Sequence, residues 1–185
     1  SALFVACDKD NDAVTPSSSN DNANNPDAAG FVVNEVHDAC LKGSWKAVAQ
    51  RMEMPRLTSG DLFVVHATQT YGLNYCIGFD CNKKAARWCA FAWCNDNAVK
   101  KWNRNDWKYT SWGGDPFQPD PLIPKDQQAT LDDHKSNGYD RVHMVGSEDR
   151  VCSQDANEHT FYLSNIHPQL NDCNANNSIW YNLEK

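Results

Sequence analysis

The chain has 185 residues, 41% of them hydrophobic and 22% charged, and a net charge of −7. That size and apolar content suit one globular domain with its own core and exclude disorder throughout. The acidic balance excludes binding of nucleic acid by bulk charge alone, and no apolar run reaches the roughly 18 residues that a membrane-spanning helix needs.

Charge is uneven along the chain. Residues 1–30 carry five Asp against one Lys, whereas 83–108 holds seven Lys and Arg against two Asp. The second stretch reads as a local basic surface on an acidic protein, or as a solvated charged face. At the start, Leu3-Phe4-Val5-Ala6-Cys7 followed by an Asp-rich run resembles a bacterial lipobox, whose Cys carries lipid. Residues 8–30 are largely Asn, Asp, Ser and Ala, with little to bury, so they read as a flexible tether. The expected organisation is a lipid anchor on Cys7 with its tether over 1–30 and a folded domain over 31–185, held at a bacterial cell envelope or outside the cell.

Within the folded part, Phe31–Cys40 is apolar without a clear period, and Ser44–Met52 predicts a short helix capped by Ser44. Leu62–His66 predicts a buried strand. Asn74–Phe79 and Arg87–Trp93 are rich in aromatic and β-branched residues on either side of 80–86, which predicts a hairpin. Asn95–Trp102 suggests one or two helical turns. Trp112–Pro124, with four prolines and two glycines, is an extended loop, and Asp126–Lys135 is helix-like. Strands are expected at Tyr139–Val145 and Thr160–Ser164, and a helix over Asn176–Lys185. Local hairpins without βαβ units make the class α+β.

The eight cysteines, at 7, 40, 76, 81, 89, 94, 152 and 173, point to an oxidising compartment. In a hairpin centred on Ala85, Cys76 faces Cys94 and Cys81 faces Cys89. That register allows two nested disulfides, or it leaves four buried thiols. The same four thiols suggest a small zinc module as an alternative, although both pairs sit in strand-like runs rather than on knuckles. Trp88, Trp93, Trp102, Trp107 and Trp112 read as packing residues or as a base-stacking platform. His66, His134, His159 and His167 read as structural or solvated.

The densest chemistry follows Tyr139. In Asp140-Arg141-Val142-His143, positions two apart share a strand face, so Arg141 and His143 point the same way. An Arg beside a His can bind a phosphate while the imidazole takes a proton. Thr160–Gln169 places Asn165 and Gln169 around Pro168 at a strand end. On a helix, Asn176, Trp180 and Glu184 step by four residues, about 40° apart in turn, so an amide, an indole and a carboxylate share one face. Such oxygen ligands suit Mg²⁺, which keeps most of its waters.

Together these three segments resemble the DNA/RNA non-specific endonuclease family, with its ββα-metal (His-Me finger) site. The family signature is an Asp-Arg-Gly-His strand, a Thr-Phe-x-x-Ser-Asn-x-x-Pro-Gln segment, then Asn-x-Gly-x-Trp and Leu-Glu on a helix. The resemblance spans roughly 54–185, more loosely through Asn74-Tyr75 and Arg87-Trp88. It implies an α+β fold with a ββα-metal core and a mixed or antiparallel sheet. It also implies Mg²⁺-dependent hydrolysis of DNA and RNA with little sequence specificity, with Mn²⁺ as a substitute metal. His143 then matches the general base, Arg141 the arginine before it and Asn165 the site asparagine. Asn176 matches the amide that holds the metal, Glu184 the carboxylate that orients metal-bound water, and Arg104 a phosphate-binding arginine. Val142 and Ser178 stand where the motifs usually have Gly. Family domains run on after the metal helix, whereas Glu184 is penultimate here, which implies a more compact domain or a C-terminal truncation. The competing readings are a degenerate relative that binds nucleic acid without cleaving it, and the zinc module.

Overall fold

The computed structural model describes residues 30–33, 54–103, 115–135, 138–175 and 178–183. Cys7 and the tether up to residue 29, the helix expected over Ser44–Met52, and the site residues Arg104, Asn176 and Glu184 lie outside them. Four strands form one antiparallel sheet in chain order: β1 (Gly30–Val33), β2 (Leu62–Thr68), β3 (Gly72–Asp80) and β4 (Ala85–Ala90). Along β2 and β3, every second residue points to one face. Leu62, Val64 and His66 therefore lie beside their partners Phe79, Ile77 and Tyr75. That face packs on Leu122, Ile123 and Val145 to make the larger core.

The β3–β4 hairpin turns earlier than a centre at Ala85. Its loop is 81–84, and the Asp80 side chain accepts the main-chain N–H groups of Asn82 and Lys83 at 2.9 and 3.1 Å. Lys84 completes the turn with φ +54°. Cys76 consequently faces Ala90, and Cys89 faces Ile77. The nested disulfides expected from a centre at Ala85 are not formed, and Cys76, Cys81, Cys89, Cys94, Cys152 and Cys173 all stand outside any disulfide. The register also puts Cys76 and Cys89 on opposite faces of the hairpin, so the four thiols do not converge as a zinc module requires. Gly78 is demanded by packing: a Cβ there would sit 2.3 Å from the Trp88 indole nitrogen.

Two further expectations change. Asp126–Lys135 holds two separate 3₁₀ turns, Lys125–Gln127 and Asp132–His134. Between them Gln128 is extended and buried. Its side chain accepts from Asp120 N and donates to the Asp120 and Ile123 carbonyls, bonds that a continuous helix would not allow. Thr160–Ser164 is not a strand. The helix α1 (Gln154–His159) precedes it, with the Ser153 hydroxyl accepting Ala156 N at the start. A 3₁₀ turn at Leu163–Asn165 follows. Phe161, Tyr162 and Leu163 are buried in succession, which a turn permits and a strand with one covered face does not. They build a second core with Phe117 and Ile166.

The strand arrives later, as β6 (Ile166–Leu170), antiparallel to β5 (Tyr139–His143). Two short helices follow it, α2 (Asn171–Asn174) and α3 (Ile179–Leu183), which makes a strand–strand–helix unit. The two cores are joined by a buried polar link. His66 Nε2 lies 2.9 Å from Asp120 Oδ2, both side chains being wholly buried, and Ser164 donates its hydroxyl to the same oxygen. Burial alone would raise the Asp120 carboxyl. The adjacent His66, with the bonds from His66, Ser164 and Leu122 N, holds it below the usual carboxylate range instead. Sheet, proline-rich loop and the start of β6 are thus fixed to one another, with the site at their junction.

Candidate functional site

His143 is the last residue of β5, paired with Ile166 where the β5–β6 ladder ends. Its ring stands edge-on to Phe161, with centroids 5.0 Å apart at 89°, and 5.5 Å from the Phe117 ring. Phe117 and Phe161 in turn meet edge to face at 5.2 Å. This aromatic corner restricts how the imidazole can turn and leaves it on a cavity of about 640 Å³.

Asn165 extends the ladder past His143. Its Oδ1 accepts Val145 N at 2.9 Å, its Nδ2 donates to the Val145 and Thr160 carbonyls, and its own carbonyl accepts Met144 N. Both amide hydrogens and the oxygen are used on the backbone, and the residue is fully buried. Asn165 thereby holds the chain that leaves His143.

Arg141 does line the cavity, on the His143 side of the strand as the period of two requires. One guanidinium nitrogen contacts both Asp115 oxygens, at 3.0 and 2.8 Å, and the group lies 4.2 Å over the Phe117 ring. Arg141 thereby pins the 115–117 segment that forms half of the aromatic corner. Asp115 and Phe117 were not singled out by sequence, and no local pattern could have done so: 26 residues separate Asp115 from Arg141.

The cavity also has an acidic side. Glu148 and Asp149 come from the 3₁₀ turn Ser147–Arg150, the next element after β5. Burial pushes the Asp149 carboxyl up, with Arg150 opposing the shift. Gly146 makes the turn fit, since a Cβ there would meet Asp149 Oδ2 at 2.8 Å. Asn174, Trp180 and Leu183 from α2 and α3 line it as well. Ser178 caps α3 by accepting Tyr181 N on its hydroxyl, a role that Gly could not fill.

The basic stretch is partly spent within the fold. Arg87 pairs with Asp61 at 2.7 Å and with Asp80 at 2.5 Å. Lys101 lies 5.5 Å from the Tyr71 ring centre. Of the tryptophans, Trp88 packs on Phe63 and Trp102 against the second core, while Trp93 is 59% exposed.

Comparison with known proteins gives one consistent direction. A model of the DNA/RNA non-specific endonucleases matches residues 60–185. "Nuclease 1, mitochondrial" of Schizosaccharomyces pombe is 47% identical over 64 residues, 35% of this chain and 20% of that protein. "Nuclease EXOG, mitochondrial" of Xenopus laevis is 33% identical over 112 residues, 60% and 28% of the two chains. "Endonuclease G, mitochondrial" of Homo sapiens is 39% identical over 69 residues, 37% and 22% of the two. The chain thus matches between about a fifth and a third of the length of these relatives. The crystal structure of the EndoG/EndoGI complex is 26% identical, with a TM-score of 0.49 over 60% of this chain and 42% of that one.

Proposed function

Because this chain belongs to the DNA/RNA non-specific endonuclease family, we propose that its cavity hydrolyses phosphodiester bonds of DNA and RNA, with His143 as general base. The supporting observation is His143 itself, placed at a strand end, braced by Phe117 and Phe161, and opening on a cavity wide enough for a phosphodiester. A neutral imidazole takes a proton from water near neutral pH, where its ordinary pKa of about 6.5 suits a base. The aromatic corner keeps its ring aimed while the proton moves. Arg141 and a bound cation would address the phosphate, which carries no base information, so little sequence discrimination is expected.

The acidic side of the cavity supports a cation beside the phosphate. Glu148 and Asp149 repel a bare anion and favour a cation. Among the described residues, no three His, Cys, Asp or Glu side chains are grouped to hold a metal. Mg²⁺ does not need such a group, because it keeps several waters and takes one or two protein oxygens. Asn176 would hold it, with Glu184 acting through water, and Mn²⁺ would serve in its place. When bound, the ion supplies positive charge at the phosphate oxygens. Arg141 and Arg104 would add charge from the protein, Arg141 only after sharing or leaving Asp115.

Nicking of supercoiled plasmid and degradation of RNA, each in Mg²⁺, test this reading. Replacing His143 with Ala is expected to lower the rate by about 10²–10⁴ with the fold retained by circular dichroism. Full activity in that variant would remove His143 as base. DNA binding without cleavage by the unaltered chain would point to the degenerate relative instead.

A further inference from the structure

Part of the cavity wall is carried by helices too short to hold themselves in place. α2 has four residues and α3 has five. Ile179 and Leu183 are largely exposed, so burial contributes little to α3. What ties the wall to the strand is Asp140, three residues before His143 on β5. Its two carboxylate oxygens each accept one side-chain amide: Asn171 Nδ2 on Oδ1, and Asn174 Nδ2 on Oδ2 at 2.9 Å. A main-chain bond from Asn171 N to the Gly138 carbonyl, 3.0 Å, backs the pair. From there the chain is bonded step by step. Ala175 N reaches Asn171 O at 2.6 Å, Ser178 N reaches Ala175 O at 2.9 Å, and Asn182 N reaches Ser178 O at 3.2 Å.

We propose that Asp140 is a positioning residue, a clamp that sets α2, and through it α3, against the strand ending in His143; Asn176 falls between these two helices in the sequence. A carboxylate is the wrong charge for a phosphate contact, and both its oxygens are already engaged by amides. Hydrogen bonds to a charged acceptor are the stronger kind, so losing two at once releases the wall. The consequence for cleavage rests on the nuclease reading above; the clamp itself does not.

The test uses the full chain with three changes: Asp140→Ala, the double variant Asn171→Ala/Asn174→Ala, and the two combined. The first measurement is hydrogen exchange at the Asn171, Ala175 and Ser178 amides, which needs no activity. Exchange there is expected to quicken by roughly tenfold or more in each variant, with β2 and β3 unchanged, and the combined variant is expected to add nothing further. The second is the Mg²⁺ concentration for half-maximal nicking. It is expected to rise by on the order of tenfold in Asp140→Ala, while the rate at saturating Mg²⁺ and the pH profile set by His143 stay near those of the unaltered chain. Asp140→Asn keeps an oxygen for one amide and should fall between. Should Asp140→Ala not fold, Asn174→Ala alone carries the same exchange test. Unchanged exchange at the three amides, or additive effects in the combined variant, would overturn the clamp. Faster exchange in a chain that never cleaves DNA would leave the clamp standing and remove the nuclease reading.

Discussion

Mild acid should destabilise this protein through His159, a histidine outside the cavity. The residue is buried in α1, 5.5 Å from both the His66 and Tyr162 rings, with Asn74 Nδ2 3.4 Å from its Nδ1. Burial, reinforced by His66 and only partly opposed by Asp120, lowers its pKa to about 3. An unfolded histidine titrates near 6.5. Between those two values the unfolded chain holds the extra proton, so stability is full above pH 6.5 and falls as pH drops towards 3. At about 1.4 kcal/mol per pH unit, lowering the pH from 7.5 to 5 removes about 2 kcal/mol, a large share of a stability of 5–15 kcal/mol. His134, also lowered by burial and by Arg141, adds to the slope in the same direction. The depressed Asp120 carboxyl acts only at lower pH, below about 4, where an unfolded aspartate takes its proton. Urea titrations of the unaltered chain and of His159→Gln at pH 7.5, 6.5, 5.5 and 5 isolate the His159 share. The stability difference between the two should change by about 2 kcal/mol across the series, in favour of His159→Gln at low pH. Parallel curves would refute the assignment. The link to the site is the next residue, because the Thr160 carbonyl is one of the anchors of Asn165.

Asn165→Ala strands the Val145 N–H and the Val145 and Thr160 carbonyls, each at a cost on the order of 1–3 kcal/mol, so urea unfolding should show a severe loss of stability. Asp115→Asn releases Arg141 towards a phosphate. DNA affinity measured by anisotropy in EDTA should rise, and its salt dependence should steepen by up to about one phosphate contact; an unchanged slope would mean that the ion pair does not restrain Arg141. EDTA should abolish nicking, and Mg²⁺ or Mn²⁺ should restore it; cleavage that persists in EDTA would exclude the metal. Gly78→Ala should cost about 1–3 kcal/mol by driving a methyl into the Trp88 indole, read as a lower Tm.

Local chemistry in the sequence determined the class of the protein and which side of a strand two of its candidate residues share. The apolar run of β2 and the alternation of β5 that sets Arg141 and His143 on one side need only neighbours within a few residues. The rest was decided by contacts between distant segments. The hairpin register followed from which side chain caps the turn: Asp80 bonds Asn82 and Lys83, the centre moves back from Ala85, and the cysteines lose their partners. The Thr160–Asn165 segment is strand-like in composition, but filling a core with three successive side chains required a turn. Asn165 carries an amide of the kind that can meet a substrate, and only the backbone around Val145 shows it engaged at every hydrogen-bonding atom. Arg141 looks free for phosphate until Asp115 arrives from 26 residues away, and His143 gains its aromatic corner from Phe117 at the same distance. Periodicity reports which face a residue occupies, but what waits on that face depends on chain closure over tens of residues, and composition does not encode it.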